Sequence, residues 1–253
     1  MTETEERVDL LLSVFQDFTK EEELIAVAGN RELIENCGPA DVALLVDRLV
    51  SLDFPMDKIK RGINNLMAVI RPVIENYPYH PPSPESYLGC LLENNRILDG
   101  KLENIQPLLK QLNNTPENQE AKQKLIHAVT DLNKYRSYYE IKESILFPEI
   151  RKHITEHGCL SVMTSCHNEI KSKLKRALEL LSSEKTDLNE FNGLVSELLL
   201  IMYEIKFREE RILYTIVQDS ISEPVLNSLY GESMEIGFPY FQPEGKITKW
   251  NKQ

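Results

Sequence analysis

The stretch SVMTSCHNEIKSKLKRALELL, residues 161–181, indicates the fold class more clearly than any other part of the chain. Alternating steps of four and three residues along it define one face, made of Met163, His167, Ile170, Leu174, Ala177 and Leu181. Such a repeat is typical of a helix that packs against other helices. Residues 161–181 are therefore predicted to form a bundle helix with one imidazole, that of His167, on its inner face.

Three further stretches carry the same repeat. The first has Leu88, Leu91, Asn95, Leu98, Leu102, Ile105, Leu109 and Leu112; the second has Leu125, Val129, Leu132, Arg136, Tyr139, Glu143, Leu146 and Ile150; the last has Phe191, Val195, Leu198, Met202, Ile205, Glu209, Ile212 and Ile216. Short connections between long helices make neighbours run antiparallel. The predicted fold class is all-α, an up-down-up-down four-helix bundle with a small N-terminal helical domain.

The domain organisation follows from breaks in the pattern. Several short amphipathic patterns occupy residues 1–80, which are predicted to form the small helical domain. A proline-rich stretch, residues 77–84, is typical of a stiff linker. The bundle is predicted over residues 81–222, and a short helix with an irregular tail over 223–253, where the only tryptophan, Trp250, lies.

The composition limits the classes of partner. The 253 residues include 40 acidic and 29 basic side chains, a formal charge of −11. Binding to nucleic acid or to an anionic membrane needs an excess of Lys and Arg, so neither is expected. The four cysteines form no C-x-x-C motif and are interpreted as free thiols of a cytoplasmic protein. The partner we expect is a protein of unknown identity.

Five polar residues interrupt the predicted bundle interior: Asn95, Arg136, Glu143, His167 and Glu209. Asn95 and His167 lie in the first halves of their helices, whereas Glu143 and Glu209 lie late in theirs. In an antiparallel bundle these positions fall at the same end. The four side chains are therefore expected to converge near one layer of the interior.

Two carboxylates in one apolar layer need a partner, because a buried, unpaired carboxylate costs several kcal/mol or takes up a proton. Three partners are open: a metal ion, the nearby Arg136 with Lys142 or Arg208, and shared protons. Alternatively, both carboxylates lean outward to solvent. The assignment by period also leaves Glu210 as an alternative to Glu209.

Several of these segments resemble one known family. Residues 142–148, KESILFP, followed by Arg151-Lys152-His153, are similar to the second-helix signature of the hemerythrin-like HHE cation-binding domain. Residues 210–214, ERILY, resemble its fourth-helix repeat, residues 91–96 its first-helix segment, and residues 162–171 its third-helix segment. Residues 33–74 resemble the small helical domain that precedes this bundle in some bacterial and archaeal members.

The resemblance implies a four-helix bundle with a non-haem di-iron centre, used for oxygen binding, sensing or repair chemistry. Only three positions of this chain match its ligands: Glu143, His167 and Glu210, with Glu209 as the alternative. The other histidine positions of the family carry Tyr138, Ser86, Gly89 and Ile205. A di-iron centre needs about five to seven side-chain ligands. The resemblance therefore predicts a degenerate member that holds at most a single iron, zinc or manganese ion.

The functional prediction follows from this loss. We expect a non-enzymatic hemerythrin-like protein that acts in binding or signalling and needs no cofactor. The alternative is a metalloprotein with a mononuclear site at Glu143, His167 and Glu210, used for sensing or for metal and oxygen chemistry.

Overall fold

A computed structural model describes residues 3–18, 30–183 and 186–243, and the regular structure of these residues is helical. The α-helices are α1 (Glu3–Phe18), α2 (Arg31–Glu35), α3 (Pro39–Ser51), α4 (Met56–Asn76), α5 (Tyr87–Glu103), α6 (Ile105–Asn114), α7 (Gln119–Asn133), α8 (Arg136–Ile141), α9 (Phe147–His153), α10 (Cys159–Ser182), α11 (Leu188–Arg208), α12 (Tyr214–Ser220), α13 (Glu223–Ser228) and α14 (Tyr230–Ile236). Two π-helical stretches, Lys142–Leu146 and Glu209–Leu213, join α8 to α9 and α11 to α12. Trp250 lies outside the described residues.

The chain divides into two compact units. Unit 1 comprises residues 1–81, 149–165 and 207–221, and unit 2 comprises residues 82–148, 166–206 and 222–253. The domain boundaries drawn from the sequence, after residues 80 and 222, stay a prediction.

Unit 1 is built around one apolar core. Helices α1, α3 and α4 pack against one another, and the rings of Phe15 and Phe54 meet edge to face at 6.2 Å. Helix α3 begins with Pro39, and the Asp41 carboxylate accepts the N–H of Gly38 at 2.8 Å. Side-chain capping of this kind satisfies an amide that a helix start otherwise leaves without a partner.

Unit 2 contains the four-helix arrangement. An ion pair joins each neighbouring pair of its four helical segments: Lys101 with Asp131, Glu143 with Lys171, Lys173 with Glu197, and Lys206 with Asp99. Each segment thus lies beside its neighbour in the chain, and the last lies beside the first. These ion pairs show the order of the helices. Since ion pairs that water can reach typically contribute about 0–1 kcal/mol each, the apolar interior is what stabilises the arrangement.

The predicted all-α class with a helical bundle is confirmed for the described residues. Almost all the interior positions derived from the repeat are buried. The predicted interior position of Arg136 is wrong, because its side chain is exposed. Glu143 is only partly buried, with 23% of its side chain exposed.

One helix start differs from the sequence pattern by a few residues, and another agrees with it. Ser83 and Pro84 are typical of a helix start, yet α5 begins at Tyr87, because the Ser86 hydroxyl caps it by accepting the N–H of Gly89 at 3.1 Å. Ser83 instead closes a turn, accepting the N–H of Ser86 at 2.9 Å. Asp187, a residue type that favours a helix start, directly precedes α11, and its carboxylate accepts the N–H groups of Asn189 and Glu190, both at 3.0 Å.

Candidate functional site

A fully buried histidine lies at the centre of the polar layer in unit 2. The imidazole of His167, on α10, has an exposed fraction of 0%. Its Nδ1 lies 2.8 Å from Glu143 Oε1, and its Nε2 lies 3.3 Å from the amine of Lys142. Both ring nitrogens of His167 are therefore engaged by side chains from the π-helical stretch Lys142–Leu146.

Aromatic rings enclose this pair. Tyr139 stacks on the imidazole of His167, with centroids 4.2 Å apart and planes at 18°. The amine of Lys142 lies over the rings of Tyr138, at 4.5 Å, and Tyr139, at 5.0 Å. Aromatic faces attract cations and N–H groups, which offsets part of the cost of burying an amine. These rings cover the side chain of Lys142, whose exposed fraction is 0%.

The carboxylate of Glu143 has a second basic partner. Lys171, one helical turn after His167 on α10, lies 3.1 and 3.3 Å from its two oxygens. Burial raises the pKa of Glu143, but the hydrogen bonds from His167 and Lys171 outweigh burial, and the net pKa is lowered. Glu143 is therefore an ionised acceptor at neutral pH.

The proton positions follow from burial. Desolvation, together with the charge of Lys142, lowers the pKa of His167 to about 3, so the imidazole is neutral at pH 7. Burial also lowers the pKa of Lys142 well below its usual value. A neutral imidazole has one donor and one acceptor. Since Glu143 can only accept, Nδ1 carries the proton and Nε2 accepts from Lys142.

The residues that the sequence singled out fall in different places. Glu143 and His167 are in contact, with Nδ1 of His167 2.8 Å from Oε1 of Glu143. Asn95 is also buried in unit 2, where its side-chain oxygen accepts the hydroxyl of Tyr135. Glu209 and Glu210 lie on the π-helical stretch of unit 1, where Glu209 is buried and Glu210 is partly exposed.

Sequence reasoning missed the two lysines as the partners of this layer. From the sequence, Lys142 is expected only together with Arg136 as a partner of the carboxylates, and Lys171 is not singled out. A signal for Lys171 exists, because residues four apart on a helix share a face, and Lys171 stands at that spacing from His167. No such spacing predicts Lys142, because in a regular α-helix it does not share the inner face with its neighbour Glu143.

The π-helical stretches explain this difference. Both sequence segments with the pattern Glu-x-Ile-Leu, residues 143–146 and 210–213, lie within such stretches. A π-helical turn holds one more residue than an α-helical turn, so it changes which side chain faces the interior. In the first stretch, the residue brought inside is Lys142, and Glu143 moves towards the edge of the layer.

The thiols of Cys37 and Cys159 belong to unit 1 and are expected to be inert. Burial raises the pKa values of Cys37 and Cys159 to about 12. Because the thiolate is the reactive form, we expect both thiols to react with an aromatic disulfide reagent at pH 8 at least a hundredfold more slowly in the folded chain than in urea. Fast labelling of either thiol in the folded chain would contradict this expectation.

Comparison with known proteins gives one match. Residues 96–217 match the family model described as "Hemerythrin HHE cation binding domain". No curated protein and no solved structure matched the chain. Within residues 3–18, 30–183 and 186–243, no helix is long and apolar enough to cross a membrane.

Proposed function

We propose that this protein, whose residues 96–217 match the model of the hemerythrin HHE cation binding domain, is a degenerate member of that family that acts in binding or signalling. One observation carries the proposal: both ring nitrogens of His167 are engaged by protein side chains, Glu143 and Lys142. A metal-ligating imidazole needs one nitrogen for the ion.

We infer from the chemistry of the side chains present that they do not fit the di-iron centre that the family implies. A di-iron centre needs about five to seven ligands. Among the described residues, no group of three or more His, Cys, Asp or Glu side chains could hold a metal ion. Glu143, the ligand beside His167, is already paired with Lys171. We therefore derive no chemistry through iron for this layer.

In the absence of a metal ion, Lys142 is the partner of the Nε2 atom of His167. Its amine presents N–H groups to the Nε2 lone pair of His167, and Lys171 neutralises the charge of Glu143. Buried polar groups are tolerated when every member has a partner. In this proposal, the Lys142–His167–Glu143–Lys171 chain keeps the polar layer of the family satisfied without metal, and the bundle serves as a scaffold.

The test is the metal content of the full-length chain, expressed with iron, zinc and manganese in the medium. We expect well below one equivalent of any metal, no oxo-bridge absorption band, and the same melting temperature with and without chelator, since only a bound ion stabilises by mass action. His167→Ala and the exposed control His127→Ala should have the same metal content as the parent chain.

The alternative is the metalloprotein expected from the sequence, with a mononuclear site that includes Glu143 and His167. The contact between His167 and Glu143 is the observation in its favour. One equivalent of iron, zinc or manganese that is lost in His167→Ala but kept in His127→Ala would support this alternative and contradict the proposal above.

A further inference from the structure

A buried asparagine in unit 2 holds the chain segment that follows α14. The side chain of Asn94, on α5, has an exposed fraction of 0%. Its oxygen accepts the N–H groups of Tyr240 and Phe241, both at 3.1 Å. Its nitrogen donates to the carbonyl oxygens of Phe241, at 3.2 Å, and Cys90, at 3.0 Å. A carboxamide has two acceptor and two donor positions, so three of the four serve the main chain of residues 240–241.

The side chain of Tyr240 is held by three further contacts. Its ring stacks on Tyr135, with centroids 5.7 Å apart and planes at 23°. Its hydroxyl donates to the carbonyl oxygen of Asp131 at 3.1 Å, and the amine of Lys101 lies 4.6 Å from its ring centroid. The surface formed by Asn94, Lys101, Asp131 and Tyr135, here called the groove, therefore offers a stacking face, a hydrogen-bond acceptor and a cation to one aromatic side chain.

The groove leads directly to the polar layer. Tyr135 stacks on Tyr138 at 4.5 Å and 20°, and the ring of Tyr138 lies 4.5 Å from the amine of Lys142. Tyr240 is thus the outermost ring of a continuous column that ends at Lys142 and His167. Whatever occupies the place of Tyr240 covers this column.

Recognition of this kind suits a peptide. Hydrogen bonds to the main chain bind any sequence, and a site for one side chain adds specificity; peptide-binding domains combine the two. Tyr240 and Phe241 lie in the stretch Phe238-Pro239-Tyr240-Phe241, which is neither helix nor strand, and the ring of Tyr240 and the main chain of both residues supply the complementary groups. The groove binds Tyr240 and Phe241 through the side chain of Asn94 and through the residues around the ring of Tyr240. These contacts can form and break without unfolding a helix.

We propose that the groove formed by Asn94, Lys101, Asp131 and Tyr135 is a binding site for a non-helical peptide segment of the Phe-Pro-Tyr-Phe type on a partner protein. Tyr240 and Phe241 occupy this groove as an intramolecular latch, which opens while the helices of unit 2 stay folded. The proposal rests on the proposed function, since it names the surface through which the scaffold binds its partner.

Peptide binding tests the site. A fluorescent peptide with the sequence of residues 236–243 is titrated into the full-length chain and into its Tyr240→Ala variant. We expect at least tenfold tighter binding to Tyr240→Ala, because its own segment competes less well. Methylation of the peptide nitrogens at the positions of Tyr240 and Phe241, or the double variant Tyr240→Ala with Asn94→Ala, should abolish binding. Absent binding, or equal affinity for parent and variant, would overturn the proposal.

Hydrogen exchange of the unmodified chain tests the opening and needs no variant to fold. We expect the amides of Tyr240 and Phe241 to exchange at least a hundredfold faster than the interior amides of α10, with little dependence on urea. Asn94→Ala should accelerate them at least tenfold further, and the exposed control Asn113→Ala should not. Equal protection and equal urea dependence at both places would show that the segment opens only by global unfolding, which overturns the latch. Metal content is measured separately, so failure here leaves the proposed function standing.

Discussion

Replacing His167 by alanine is expected to lower the free energy of unfolding by about 3–5 kcal/mol, as measured by urea denaturation. The substitution empties a fully buried ring site beneath Tyr139. It also removes the acceptor of Lys142, whose amine is then buried without that hydrogen bond. A buried polar group that loses its partner destabilises more than the pair ever stabilised.

Two comparisons isolate the cause. His127→Ala makes the same chemical change at an exposed position and should alter the free energy of unfolding by less than about 0.5 kcal/mol. Adding Lys142→Met to His167→Ala should recover part of the lost free energy of unfolding. The methionine removes the buried amine that hydrogen-bonded His167 and keeps an apolar side chain of similar length. Strict additivity of the two substitutions would show that Lys142 and His167 are not coupled.

Replacing Gly89 by alanine is expected to destabilise the chain by at least about 3 kcal/mol. A Cβ at this position would lie 2.0 Å from the carbonyl oxygen of Ser83 and 2.9 Å from Cα of Pro84, both backbone atoms that cannot turn aside. Relief of this contact moves the turn before α5, which breaks the cap that Ser86 provides to Gly89. The melting temperature and the denaturant midpoint should both fall.

Gly100 offers a matched control on the same helix. A Cβ there meets no atom within 4 Å, and the residue is exposed. Gly100→Ala should therefore stabilise the chain by about 0.5–1 kcal/mol, because alanine loses less conformational freedom than glycine in a helix. Similar effects at Gly89 and Gly100 would contradict the close packing described for the start of α5.

The class of fold could be predicted from spacing alone. A face of apolar side chains repeated every three or four residues, such as Ile170, Leu174 and Ala177, can be buried only if the segment is helical and packs on other helices. Short connections between such segments then restrict the topology. These are local properties of the chain, so no tertiary information is needed to read them.

Helix starts were less predictable. Ser83-Pro84 and Ser86 are both compatible with a cap, and the choice between them depends on where the turn folds back. That choice is made by Gly89, which lets the carbonyl of Ser83 approach the helix closely. The partner of the turn lies six residues away along the chain, beyond the reach of a cap motif.

The candidate site was predictable in part. His167 stands alone on an otherwise apolar face, and Glu143 lies in a segment that resembles a known signature, so both could be singled out. The burial of Lys142 could not, since it depends on the π-helical turn Lys142–Leu146. The groove at Asn94 could not be predicted either, because its two sides are far apart in sequence.

The amino-acid sequence by itself determined the helical class, the apolar faces and the presence of an imidazole and a carboxylate in the bundle, because each depends on the spacing of residues within one segment. Only the tertiary structure decided which groups satisfy that imidazole. Lys142 meets His167 because a π-helical turn rotates its side chain inward, and Tyr240 meets Asn94 because the chain returns to α5 after 146 positions. Contacts between distant segments depend on how the helices pack, and spacing within one helix carries no information about them.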